Sequence, residues 1–70
     1  MIYHIAVKFE PQGWTATCIE LSCHTRNAGS ENEAAAGVIA LSLRILAGRI
    51  EAGPIPAGLS FDIRFEVERQ

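Results

Sequence analysis

The chain is poor in basic residues, with one lysine and five arginines scattered over 70 positions and a net charge of −2. Proteins that grip nucleic acid ordinarily show a basic stripe, so direct DNA binding is not expected. Only two cysteines are present, Cys18 and Cys23, too few for the disulfide framework of a small secreted domain. The longest apolar stretch is interrupted by Ser42, Arg44 and Arg49 and falls short of the roughly 20 residues that span a bilayer. No signal-type segment precedes Tyr3, where strand-like alternation already begins. These absences favour a cytoplasmic chain with reduced thiols and no membrane partner. A glycine-rich phosphate loop is also lacking. The segment "NAGS" opens a helix, but Glu31 and Glu33 in its first turn would repel an anion.

What is present is a single small globular domain, with 49% hydrophobic and 20% charged residues. A chain of this length buries only about 60% of its unfolded surface, so a partner subunit is a common supplement. Ile2 to Phe9 alternates with period two, placing Tyr3, Ile5, Val7 and Phe9 on one face and His4 and Lys8 on the other. "EPQG" breaks that strand. A second strand runs from Trp14 to Leu21, with Trp14, Ala16 and Cys18 on one face. "CHTRN" makes a brief third strand, and Ala28-Gly29 turns the chain. Ser30 and Glu33 form a capping box, so the helix is expected from Glu31 to about Ala52, closed by Gly53-Pro54. Leu59 to Val67 is the last strand, alternating Phe61, Ile63, Phe65 and Val67 with Asp62, Arg64, Glu66 and Glu68. The expected fold is α+β: a three- to four-stranded antiparallel sheet with one helix on one face, in the order β-β-(β)-α-β.

The helix carries two apolar stripes. Ala34, Val38, Leu41 and Ile45 form one; Ala35, Ile39, Leu43, Leu46 and Ile50 form the other, set apart by Ser42 and Arg49. Together they exceed the roughly 100° that contact with one sheet requires. Surplus apolar surface on a small domain marks an interaction site, so Ile39, Leu43, Leu46 and Ile50 are assigned to self-association. The alternative is a sheet that curls around the helix and covers both stripes.

Chemistry-bearing residues are few. His4, Cys18, Cys23 and His24 are ligand types that zinc accepts, but C-x₄-C-H is not a tight ligand spacing. As sequence neighbours, Cys23 and His24 would point apart in a strand, which weighs against a nucleophile pair. Glu20, Asp62, Glu66 and Glu68 could suggest a two-metal nuclease. Arg64 and Arg69 interspersed among them suit a solvated strand face instead. No catalytic residue, metal or cofactor is assigned.

The order of features resembles the HicB-like antitoxin family over about residues 1–56. Trp14 stands at an aromatic strand position and Glu20-Leu21 where an Asp-Leu pair is expected. Ser30 replaces a capping Thr, Glu33-Ala34 opens the helix, and Pro54-Ile55-Pro56 forms the exit. Ile19, Ser22, Cys23 and Gly29 depart from the pattern. The resemblance implies a truncated ribonuclease H-like scaffold that does no chemistry, oligomerises, and binds and neutralises a small HicA-like RNase toxin. Many such proteins continue into a carboxy-terminal DNA-binding domain, which is not expected here after Gln70. Two other readings remain at this point: a small metal- or thiol-dependent enzyme using Cys23 and His24, and a solitary relative with a different protein partner.

Overall fold

The computed structural model describes residues 1–54 and 62–69. Strands β1 (Ile2–Glu10), β2 (Gly13–Cys18) and β3 (Cys23–Ala28) precede helix α1 (Glu31–Ala52), and β4 (Arg64–Arg69) follows it. They build one four-stranded sheet in the order β3-β2-β1-β4, with α1 on one face. β1 and β2 pair antiparallel, as do β2 and β3.

The α+β class holds, while the sheet is mixed rather than wholly antiparallel, because β4 runs parallel to β1. The reason is topological. β3 already runs in the direction of β1, and α1 carries the chain back to the starting end of the sheet. The next strand therefore repeats the direction of β3, as in any strand-helix-strand crossover. The free edge of β1 is where it docks, pairing Tyr3 with Phe65 and Ile5 with Val67.

Strand limits differ from the expected ones at three places. β2 stops at Cys18, and Ile19 to Ser22 form a turn in which Ser22 has φ 53°. β1 and β2 reach Glu10 and Gly13, which pair with each other, so only Pro11 and Gln12 lie between them. β4 begins at Arg64, after Asp62 and Ile63 in irregular backbone. The expected strand positions Leu59 to Phe61 lie outside the described residues, as do Ile55 and Pro56. The alternation itself holds, with Ile63, Phe65 and Val67 half-buried and Asp62, Arg64, Glu66 and Glu68 exposed.

The buried core is Tyr3, Ile5 and Val7 from β1, Ala16 and Cys18 from β2, Cys23 from β3, and Ala34, Ala35 and Val38 from α1. Each fully buried Ile or Val contributes about 1.5–3 kcal/mol relative to exposure. The short side chains of Ala16, Ala34 and Ala35 bring the helix close to the sheet. A Cβ on Gly37 would sit 3.2 Å from Thr25 Cγ2. Phe9 follows the parity of the core face but is 64% exposed, because it lies at the end of the hairpin and packs edge-on against Trp14 at 5.1 Å.

The helix limits follow the local signals. Ser30 Oγ accepts from the Glu33 N–H at 3.1 Å, and Glu33 Oε2 accepts from the Gly29 N–H at 3.0 Å, satisfying amides that a helix start leaves open. At the far end the Gly53 N–H donates to the Arg49 carbonyl at 3.1 Å. Ser42 does not divide the apolar stripes as a polar boundary. It is fully buried, its hydroxyl donating to the Val38 carbonyl at 2.7 Å and lying 3.5 Å from Cys23 Sγ. No helix among the described residues is long and apolar enough to cross a membrane.

Candidate functional site

The two faces of the sheet and the flank of the helix offer three surfaces. α1 runs antiparallel to β3, with Ala34 over Thr25, whose hydroxyl donates to the Ala34 carbonyl at 3.1 Å, and Ser42 over Cys23. It lies over β2 and β3 and touches β1 less. β2 and β3 end at Cys18 and Cys23, so helix residues beyond Ser42 pass over the 19–22 turn. A 22-residue helix is about 33 Å long, against about 20 Å for a six-residue strand.

The second apolar stripe follows from this placement. Gly37 rests on Thr25 of edge strand β3, so the opposite flank of the helix faces the β1 and β4 side. That flank carries Ile39, Leu43, Leu46 and Ile50. Leu43 is 47% exposed and the other three are half-buried. On that side the half-buried Ile63 and, in β4, Phe65 and Val67 pack against the core, with the Phe65 ring 5.7 Å from that of Tyr3. The chain thus shows an apolar flank beside a strand that its helix does not straddle.

The uncovered sheet face is polar and divides into two halves. At one end Glu20 folds back from its turn onto β1. The His4 N–H donates to Glu20 Oε1 at 2.7 Å, and the His4 ring Nδ1 meets Glu20 Oε2 at 2.5 Å. Glu66 lies 4.0 Å from His4 Nε2 and 3.7 Å from Arg64 Nε. The hydrogen bond from the His4 ring to the Glu20 carboxylate, with the charges of Glu20, Glu66 and Glu68, raises the His4 pKa above 6.5 against a smaller opposing effect of burial. The same bond, with that from the His4 backbone, lowers Glu20 below its ordinary 4.5.

At the other end lies an open groove of about 510 Å³ between the β1-β2 hairpin and edge strand β3. Thr15 and Thr17 form its floor, His24, Arg26 and Asn27 one wall, and the hairpin residues Glu10, Gln12 and Gly13 the other. The β2-β3 pairing slips here. Trp14 pairs with Ala28 and Ala16 with Thr25, so Arg26 and Asn27 together oppose Thr15. In a regular strand Asn27 would turn toward the helix and Ala28 away from it. The bulge, with Asn27 at φ 59°, keeps Arg26 and Asn27 both exposed and returns Ala28 to the core. Gly13 is required at its place: φ is +138° and a Cβ would lie 2.9 Å from the Ala28 oxygen.

The thiol and imidazole residues do not converge. Cys18 and Cys23 are paired across the strands under the helix, both buried and free, whereas His4 is half-buried and His24 exposed on the other face. Among the described residues no three His, Cys, Asp or Glu side chains are grouped to hold a metal ion. Arg26 and Arg44 also lie apart, on the open sheet face and the helix. Of the motif positions, Trp14 is half-buried and Glu20 is tied to His4, while Leu21 packs on the core. Ser30 and Glu33 cap the helix, Ala34 is buried and Pro54 exposed. The groove was missed in the sequence, although strand parity puts Thr15, Thr17, His24 and Arg26 on one face. Its wall depends on the bulge, which leaves no periodic signal. No family model, curated protein or solved structure matches the chain.

Proposed function

We propose that the chain is a non-enzymatic protein-binding module of the HicB-like antitoxin kind, one that associates with a second copy and would bind and neutralise a small HicA-like RNase toxin. The observation that carries the reading is the apolar flank of α1, Ile39, Leu43, Leu46 and Ile50, standing beside the half-covered β4. A second copy is the occupant that needs no new chemistry. The helix end and the strip beside it are both apolar and incompletely covered, so a two-fold pair can satisfy each with the other. A standard interface takes about 800 Å² from each partner, against a total surface of 4844 Å². A four-stranded mixed sheet with one helix suits the scaffold implied by the resemblance. Cys23 and His24 on opposite faces of the sheet weaken the thiol- or metal-enzyme reading, because a base must reach its nucleophile.

Light scattering on Leu43→Glu tests the association. A twofold fall in mass with an unchanged circular dichroism spectrum is expected, and an unchanged mass with the fold intact would remove the idea. For the antitoxin part, co-expression with the product of an adjacent short basic reading frame is the test. Relief of growth arrest supports it, and arrest that persists despite soluble expression of both chains overturns it.

A further inference from the structure

The two ends of the open sheet face contrast in how their polar groups are used. At the His4 end four charged or ionisable groups are linked in a chain, from Glu20 to His4 to Glu66 to Arg64. At the groove the reverse holds. Among the described residues, Arg26 makes no ion pair, and the side chains of Gln12, Thr15, Thr17, His24 and Asn27 make no hydrogen bond within the chain. Yet these donors are gathered into one concavity by backbone features of low tolerance, the bulge at Arg26-Asn27 and the glycine at 13. The groove volume is within the range of small-molecule sites, about 300–1000 Å³.

The donor set selects a ligand class. Arg26 offers a planar fork that fits phosphate or carboxylate, and His24, Asn27 and two threonine hydroxyls stand around it. That is more donor capacity than the two oxygens of a carboxylate can use, and it suits the three terminal oxygens of a phosphomonoester. At the hairpin wall Glu10 accepts and Gln12 both donates and accepts, which matches hydroxyl groups. The helix start, where Glu31 and Glu33 repel anions, is a separate place from this groove.

We propose that the groove binds a small phosphorylated, hydroxyl-bearing molecule, a sugar phosphate or a nucleoside monophosphate. Its phosphate sits at Arg26, His24 and Asn27, and its hydroxylated body runs over Thr15 and Thr17 toward Glu10 and Gln12. This site is on the face opposite the helix and does not depend on the partner-binding reading.

The test is amide NMR of the full chain titrated with glucose 6-phosphate, adenosine monophosphate, inorganic phosphate, glucose and adenosine. One or both organic phosphates should shift residues 15–17 and 24–27 saturably, and so reveal which body the groove accepts. Arg26→Gln should weaken that binding about tenfold or more, since a charge-assisted hydrogen bond is worth about 1.5–3 kcal/mol. Thr17→Val should weaken it less, and His4→Gln at the other end should leave it unchanged. Arg26 makes no ion pair or side-chain hydrogen bond among the described residues, and an unchanged circular dichroism spectrum checks that Arg26→Gln keeps the fold. Failure of both organic phosphates to saturate would overturn the proposal, as would indifference to Arg26→Gln. Equal binding of inorganic phosphate, or of glucose and adenosine, would overturn it as well.

Discussion

Two glycines of one helix should answer the same substitution differently. Replacing a helical glycine by alanine stabilises by about 0.8–1 kcal/mol when nothing opposes the new methyl. Gly48 meets that condition, with nothing within 4 Å of an added Cβ. Gly48→Ala should therefore raise the melting temperature by about 4–8 °C per kcal/mol gained. Gly37 gains the same propensity, but its Cβ would lie 3.2 Å from Thr25 Cγ2. The threonine cannot rotate that methyl aside freely, because its hydroxyl is held by the Ala34 carbonyl at 3.1 Å. Losing that bond costs about 0.5–1.5 kcal/mol, which offsets half or more of the gain. Gly37→Ala should thus lie between a gain of about 0.5 kcal/mol and a loss of about 0.7 kcal/mol, and about 0.5–1.5 kcal/mol below Gly48→Ala. Thr25→Ser removes the offending methyl and keeps the hydroxyl, so in that background Gly37→Ala should recover most of its gain. Urea unfolding at one fixed protein concentration reads all four variants, the fixed concentration being needed because association adds apparent stability. Equal gains at 37 and 48 would show that the helix stands away from β3. A loss at 48 would show that flank to be covered, and either result refutes the packing described.

Two other outcomes follow from the structure. His4 has a raised pKa, so its contribution is complete below its unfolded value near 6.5 and is lost as pH rises through the folded value. Glu20 is lowered, so its contribution is complete above its unfolded value near 4.5 and is lost as pH falls through the folded one. The excess stability of the native chain over His4→Gln should then be greatest between pH 4.5 and 6.5 and decline on both sides; a difference that grows above pH 7 would contradict the pairing. The buried thiols of Cys18 and Cys23 should react with a thiol reagent only as fast as the chain opens, and both should react at once in denaturant. Rapid reaction of either in the folded chain would show that the helix does not seal that side of the sheet.

The sequence by itself determined what depends on neighbours two to four residues apart. The helix from Glu31 to Ala52 was legible because Ser30 and Glu33 satisfy amides within one turn and Gly53 closes the other end. The core parity of Tyr3, Ile5 and Val7, and the parity of Phe65 and Val67, were legible because strand side chains alternate strictly. The third strand was legible in outline.

Only the tertiary structure decided matters in which distant segments compete for the same space. β4 runs parallel beside β1 because the helix spans the sheet once and returns the chain to the end at which β3 started. Glu20 reaches His4, sixteen residues away, because β2 stops early and its turn folds back over β1. Ser42, polar in sequence, is buried because its hydroxyl donates to the Val38 carbonyl and its oxygen lies against the Cys23 thiol. Arg26 and Asn27 share a groove wall because the bulge admits two residues opposite Thr15. None of these leaves a periodic trace, since each is set by what packs against the residue and not by the order in which residues follow one another.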